Sequence, residues 1–114
     1  EFSSLMREEN WDVVFAPLHR LQRPTNPIGG MTALFQVMSS VPFISRLVSS
    51  TKTDLIHSNS TTAHVAGGLA GQRCQKPTIW HARDLVSLGR LAPALAARAT
   101  RVVAISSCVA QRLK

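Results

Sequence analysis

The amino-acid sequence predicts an α/β fold in which helices flank a parallel sheet. Short apolar runs over residues 54–57, 77–82 and 101–105 are each followed by a helix-like segment. Such alternation is typical of β-α-β crossovers onto a parallel sheet. Polar residues follow each run, and a parallel sheet binds its ligands at the carboxyl ends of its strands. These polar residues are therefore the candidate functional residues.

The first half of the chain predicts one strand and one interrupted helix. Residues 11–18 hold a short apolar core that we expect to form a strand ended by Pro17. Residues 19–30 are rich in proline and glycine, which indicates a loop. Residues 31–50 carry a helical stripe that we expect to face the core, and Pro42 predicts a kink or two shorter helices. The stripe consists of Met31, Leu34, Phe35, Met38 and Val41.

Residues 55–57 predict the next strand, and a helix follows it. Ser60, Thr61 or Thr62 can cap that helix. One face is lined by small residues, and we expect His64, on the opposite face, to be solvated. Three glycines within the helix predict its close approach to the sheet, not a phosphate loop. The small residues are Ala63, Ala66, Ala70 and Cys74, and the glycines are Gly67, Gly68 and Gly71.

The last part of the chain predicts two strands and two helices. Residues 78–82 are the clearest strand, and a helix with Pro93 in its first turn follows. Its apolar stripe predicts a buried face, with arginines on the opposite side. Residues 102–105 form the last strand, and Ser106 or Ser107 caps a final helix. The apolar stripe is Leu88, Leu91, Ala92, Leu95 and Ala99, and the arginines are Arg90, Arg98 and Arg101.

Length, composition and charge indicate one basic globular domain. The 114 residues suffice for a single domain, and 45% hydrophobic content argues against disorder. The net charge of +7 is uneven: of the 13 Lys and Arg residues, all except Arg7 lie at or after residue 20, where only Asp54 and Asp84 oppose them. Such a chain attracts phosphates, nucleic acid or an anionic membrane surface, and the charge does not choose among them.

Cysteine usage and hydropathy favour a reducing compartment. Cys74 and Cys108 stand singly, without metal-ligand spacing, so we expect reduced, buried thiols. No uninterrupted apolar run approaches the roughly 20 residues of a membrane-spanning helix, and the N-terminus lacks a signal-peptide pattern. These features predict a cytoplasmic protein, and its charge allows peripheral attachment to a membrane.

Three motifs in the second half resemble a known enzyme family. They are DLIHSNS from Asp54, KPTIWHARD from Lys76 and RVVAISSCVAQRL from Arg101. In this order and at this close spacing they resemble the N-terminal, acceptor-side domain of family 4 glycosyltransferases, which are retaining sugar-nucleotide enzymes of the GT-B type. Before Asp54 the chain matches the family only in general character.

The resemblance implies one half of a two-domain enzyme. In the family a cleft separates two Rossmann-like halves, of which the N-terminal half receives the acceptor and the C-terminal half holds the nucleotide-sugar. The family's first strand with its Gly-rich turn, and its C-terminal domain with paired glutamates, have no counterpart in residues 1–114. The resemblance therefore implies an incomplete Rossmann-like domain that has no turnover alone. Its sheet would have an open edge, which predicts rearranged pairing, domain exchange or oligomerisation.

The loop at residues 81–84, directly after the strand residues 78–80, provides the strongest candidate residues. In the family this loop faces the cleft near the reacting sugar, which implies that His81 contacts the acceptor or donor sugar. Asp84 would orient sugar hydroxyls, and Arg83 would offer a fork of donors to a phosphate or carboxylate. The alternative is structural: Asp84 caps the following helix and pairs with Arg83.

Polar residues after the other two strands are candidates for acceptor binding. Asn59, Ser60 and Ser106 could hydrogen-bond an acceptor, although helix capping explains Asn59 and Ser60 nearly as well and is the favoured role of Ser106. His57 is expected to be structural. The sequence contains no metal-ligand spacing, hydrolase motif or dinucleotide fingerprint.

The resemblance and the charge together define the expected partners. No cofactor is expected in this chain, whereas the complete enzyme would use a nucleotide-sugar donor held by the C-terminal domain. The acceptor would be a sugar, or a phosphorylated or lipid-linked molecule, and an anionic membrane surface suits the charge. One alternative is a nucleic-acid-binding module that uses Arg90, Arg98 and Arg101, and another is an α/β fragment without independent activity.

Overall fold

The computed structural model describes residues 2–18, 27–84 and 91–113. Within these ranges the chain forms six helices and three strands. The helices are α1 (Phe2–Glu8), α2 (Pro27–Met38), α3 (Val41–Ser50), α4 (Thr61–Cys74), α5 (Leu91–Ala96) and α6 (Ser107–Arg112). The strands are β1 (Ile56–Ser58), β2 (Thr78–Ala82) and β3 (Arg101–Ala104).

The three strands form one open parallel sheet in the order β1-β2-β3. Ile56 of β1 lies opposite Thr78, and Ile79 of β2 lies opposite Arg101. Helix α4 connects β1 to β2, and α5 lies in the connection from β2 to β3. The predicted mixed α/β architecture with a parallel sheet is therefore confirmed. Within the described ranges, the outer edges of β1 and β3 have no neighbouring strand.

Residues 11–18 form no strand, so that prediction was wrong. The segment is tied to helices: Trp11 N–H donates to the Met6 carbonyl at 2.9 Å, and the Pro17 carbonyl accepts from Ser40 Oγ at 2.8 Å. An apolar run becomes a strand when a neighbouring strand pairs with its backbone, and here none does. The aromatic side chains of Trp11 and Phe15 are consequently exposed.

The predicted interrupted helix is confirmed as two helices, α2 and α3. Helix α2 begins at Pro27, so the predicted loop was wrong at residues 27–30, and the rest of that loop, residues 19–26, lies outside the described residues. The break falls at Ser39 and Ser40, and Pro42 lies in the first turn of α3. Proline is tolerated there because the first N–H groups of a helix have no intrahelical acceptor. The stretch Ile28–Ser50 is long and apolar enough to cross a membrane by length and composition alone, as are some core helices and signal sequences.

The Met and Phe stripe of α2 does not face the core as predicted. Met31 and Phe35 are exposed, whereas Val37, outside the stripe, is buried with Val65 and Ala66 of α4. Helix α2 is apolar on most of its surface, so hydrophobic periodicity alone does not select the face that packs. The face carrying Val37 meets α4, and the stripe is left outside.

Two of the three glycines of α4 face the sheet and allow the predicted close approach of this helix. Ala66 and Ala70 are fully buried. A Cβ added at Gly67 would lie 2.5 Å from Ser58 Oγ, and one at Gly71 would clash with Thr78 Oγ1. Because real Cβ atoms essentially never approach so closely, a side chain at either position would require the facing hydroxyl group to move. Gly68 faces Arg98 and the His64 ring instead of the sheet.

His64 is buried, so the prediction of a solvated histidine was wrong. Its ring stacks on Trp80 of β2, with ring centroids 4.8 Å apart and planes 2° apart. Its Nε2 lies 2.9 Å from the Leu95 carbonyl oxygen, to which a neutral ring donates. Burial lowers the pKa of His64 below its ordinary value of 6.5, and the nearby positive charge of Arg98 acts in the same direction.

The prediction that arginines line one face of the helix after β2 was also wrong. Helix α5 ends at Ala96, so Arg98 lies beyond it and Arg101 begins β3. The Arg98 guanidinium donates to the Ala94 carbonyl, and that of Arg101 donates to the Thr100 carbonyl. Arg90 and Leu88 lie outside the described residues.

Both cysteines are free thiols, as predicted, but only one is sheltered. Cys74 is half-buried, and its thiol donates to the Ser45 carbonyl at 3.6 Å. Cys108 is exposed on the short helix α6, so the prediction of a buried thiol was wrong at that position.

Candidate functional site at the strand ends

All predicted site residues except His81 lie just beyond the carboxyl ends of the three strands. Asn59 and Ser60 follow β1, Arg83 and Asp84 follow β2, and Ser106 follows β3 by two positions. Because the strands are parallel, their carboxyl ends meet at one edge of the sheet, which we call the strand-end edge.

Asp84 connects the end of β2 to the first turn of α4. Its Oδ2 accepts the backbone N–H of Thr61 at 3.0 Å. A carboxylate at a helix N-terminus both satisfies an unpaired donor and complements the helix dipole. Asp84 thus caps the preceding helix, α4, and the predicted cap on the following helix falls on residues that the structure does not describe. The segment after Asp84, residues 85–90, lies outside the described residues.

Ser60 and Ser106 are the N-caps of the two helices that leave this edge. Ser60 Oγ accepts the Ala63 N–H at 3.1 Å, and Ser106 Oγ accepts the Val109 N–H at 3.3 Å. Both residues have the extended backbone typical of a cap. Capping uses one lone pair of each hydroxyl, and the hydroxyl proton can still be donated to a ligand.

His81 lies on the face of the sheet opposite α4. Trp80 and Ala82 are buried on the α4 side, and the side-chain alternation of a strand places His81 on the other face. There its ring stacks against His57, with centroids 5.6 Å apart and planes 12° apart. His81 and Asp84, the two predicted catalytic residues, therefore make their contacts on opposite faces of the sheet.

The positive charge available to a ligand at the strand-end edge comes from Arg83 more than from the N-terminal amides of α4. Two amides in the first turn of α4, those of Thr61 and Ala63, already donate to Asp84 and Ser60. That N-terminus is therefore not an open anion site. The exposed guanidinium of Arg83 remains as the donor that can meet a phosphate or carboxylate, with the exposed amide of Asn59 as a neutral partner.

Two concave surfaces lie at the opposite end of the sheet and were not predicted. The larger, of about 670 Å³, lies between α3 and the end of α4 and is lined by Arg46, Arg73 and Lys76 among others. The smaller, of about 430 Å³, lies below the amino ends of β2 and β3 and includes Arg98. Periodicity could not reveal the basic lining, because these side chains come from separate elements.

The strand-end edge thus combines one cation, one amide and two hydroxyls, which is a hydrogen-bonding set and not a metal centre. Among the described residues, no group of three or more His, Cys, Asp and Glu is placed to hold a metal ion. Such a set suits the hydroxyls and phosphates of a polar ligand. Comparison of the chain with protein-family models, curated proteins and solved structures found no match.

Proposed function

We propose that this chain forms the acceptor side of a retaining family 4 glycosyltransferase of the GT-B type. One observation carries the proposal. Each of the three motifs that resemble the family includes the carboxyl end of one strand, so that Asn59, Arg83 and Ser106 lie at the same edge of one parallel sheet. Ligands of open α/β sheets bind at such edges.

The residues of the edge divide into binding and positioning roles. Arg83 binds the phosphate of a phosphorylated or lipid-linked acceptor, and Asn59 and the two serine hydroxyls hydrogen-bond its polar groups. Asp84 acts as a positioning residue, because its bond to Thr61 holds the end of β2 against α4. These roles need no nucleophile from this chain.

In this proposal the donor sugar is held by a second, nucleotide-binding half that lies outside residues 1–114. His81 faces away from α4, on the side where the sheet carries the histidine stack. A donor half that closes over this face would bring the nucleotide-sugar against His81. We also propose that the chain is an incomplete Rossmann-like domain. The resemblance to the family implies this architecture, and the open parallel sheet is compatible with it.

The nucleic-acid alternative has less support. It relied on arginines along one helix, but Arg98 and Arg101 lie outside α5. Sequence-tolerant binding of single strands also uses aromatic platforms; Trp80 of the sheet is fully buried, and the exposed Trp11 and Phe15 lie outside the sheet.

Sugar transfer by the natural gene product tests the proposal. The protein translated from the complete reading frame is incubated with a panel of nucleotide-sugars and of phosphorylated and lipid-phosphate acceptors, and products are detected by mass spectrometry. We expect a glycosylated acceptor with the anomeric configuration of the donor retained. A complete frame without any transfer activity contradicts the proposal.

A matched pair of arginine variants tests the role of the edge. Loss of a charge-assisted hydrogen bond typically costs about 1.5–3 kcal/mol, so Arg83→Ala should raise the KM for a phosphorylated acceptor roughly tenfold or more. Arg73→Ala is the control, since Arg73 is also exposed but lies at the other end of α4. If the two variants changed the KM for the acceptor equally, Arg83 would have no specific role in binding the acceptor.

A further inference from the structure

We propose that α2 docks on an anionic lipid bilayer, with its axis in the plane of the membrane surface. The contact is made by an outward row of apolar side chains, which we call the α2 stripe. The stripe consists of Ile28, Met31, Leu34, Phe35 and Met38. This inference concerns a separate surface from the strand-end edge and does not depend on sugar transfer.

The α2 stripe is exposed to a degree that is unusual for such side chains. The exposed fractions are 77% for Ile28, 75% for Met31, 43% for Leu34, 73% for Phe35 and 46% for Met38. At about 100° per residue the five side chains fall within an arc of about 120°. The other side of the helix packs through the fully buried Val37. Contiguous apolar rows of this kind mark contact with a partner or a membrane.

The geometry favours a helix that lies on the membrane over one that spans it. The apolar stretch Ile28–Ser50 is interrupted at Ser39 and Ser40, and α3 beyond the break buries Ser45 and Val48. Helix α2 alone has 12 residues, which is about 18 Å of helix against about 30 Å of hydrocarbon. It is too short to cross and suits the boundary between headgroups and acyl chains.

The distribution of charge favours anionic lipid as the occupant. Between residues 13 and 50 the only charged residues are arginines, namely Arg46 of α3 and Arg20 and Arg23, which precede α2 along the chain and lie outside the described residues. The whole chain carries +7. Basic residues close in sequence to an apolar helix add attraction to the negative surface of a bilayer.

A second copy of the chain is a poorer occupant, because the stripe is small. It is about 18 Å long and about 10 Å wide. Two such stripes would bury far less than the roughly 800 Å² per partner of a stable dimer.

Vesicle binding by the chain tests the inference. Cosedimentation is measured with phosphatidylglycerol–phosphatidylcholine vesicles and with phosphatidylcholine vesicles, without any sugar present. We expect at least tenfold stronger binding to the anionic vesicles, and at least a tenfold loss of that binding in M31Q/F35Q. The control T32Q/Q36A changes exposed polar side chains of the same helix and should bind within twofold of the unmodified chain. Circular dichroism verifies that both variants fold.

A fluorescence measurement locates the helix relative to the lipid. Phe35→Trp should show a blue-shifted emission with anionic vesicles and should be quenched by brominated acyl chains. Equal binding of M31Q/F35Q and the unmodified chain overturns the inference, since charge alone would then account for attachment. A dimer that M31Q/F35Q dissociates, with no vesicle binding by the unmodified chain, also overturns it and assigns the stripe to a second copy.

Discussion

His64 shows how one buried side chain makes the fold sensitive to acid. The ring is enclosed between Trp80 and the Leu95 carbonyl, and Arg98 lies near enough to oppose a second positive charge. Its pKa is therefore lower in the folded chain than in the unfolded chain. The unfolded chain binds the proton first as pH falls, so stability is complete above pH 6.5 and declines as pH falls towards the folded pKa.

Substitution of His64 by phenylalanine should remove this acid sensitivity. His64→Phe keeps a ring against Trp80 but leaves the Leu95 carbonyl without its donor, which costs about 1–3 kcal/mol of stability at pH 7.5. The decrease in the free energy of unfolding from pH 7.5 to pH 5.5 should be smaller in this variant than in the unmodified chain. Urea unfolding at the two pH values measures both effects. His57→Gln changes an exposed histidine and should keep the acid sensitivity; if His64→Phe keeps it too, another group is responsible.

At the scale of elements, the contact between α4 and the sheet depends on glycine. Gly67→Ala would place a Cβ 2.5 Å from Ser58 Oγ. We expect a net loss of about 1–3 kcal/mol, as for overpacking elsewhere, although alanine is the better helix former. Removal of the hydroxyl in Ser58→Ala should restore much of the lost stability in the double variant. Thermal unfolding of the unmodified chain, the two single variants and the double variant measures the coupling between the two substitutions. If their effects on stability were additive, Ser58 would not be the residue that obstructs the added Cβ.

The elements that the sequence predicted correctly depend on local chemistry. The bounds of β2 agree with the predicted residues 78–82, and Ser60 and Ser106 cap helices because a cap is a short-range pattern of residue type and spacing. Pro42 likewise fixed the division between α2 and α3. Each of these outcomes is decided within a few residues along the chain.

The incorrect predictions concern which elements of the fold pair or pack with one another. The apolar run at residues 11–18 had no strand to pair with, and the periodicity of α2 did not determine which face meets α4. The burial of His64 required α5 to pack beside α4. At the candidate site, the strand ends came together as predicted, but the separation of His81 from Asp84 depends on strand alternation and on the cap at Thr61.

At the scale of the whole molecule, the three-stranded sheet has open edges within the described ranges. Exposed edges pair with other chains, so we expect a concentration-dependent oligomer in sedimentation-velocity experiments. Val103→Lys, which places a charge on the exposed edge strand β3, should shift the equilibrium towards monomer. Val14→Lys is the control, since Val14 is exposed outside the sheet. A monomer at all concentrations would show that the edges are protected.

We infer that the strand-end edge, and not the basic concavity at the other end of the sheet, receives a polar acceptor. Amide chemical-shift mapping of the ¹⁵N-labelled chain with a sugar phosphate distinguishes these two surfaces. We predict that titration shifts the amides of Asn59, Arg83 and Ser106 and leaves those of Arg46 and Arg73 unchanged. Shifts confined to Arg46, Arg73 and their neighbours would contradict the account.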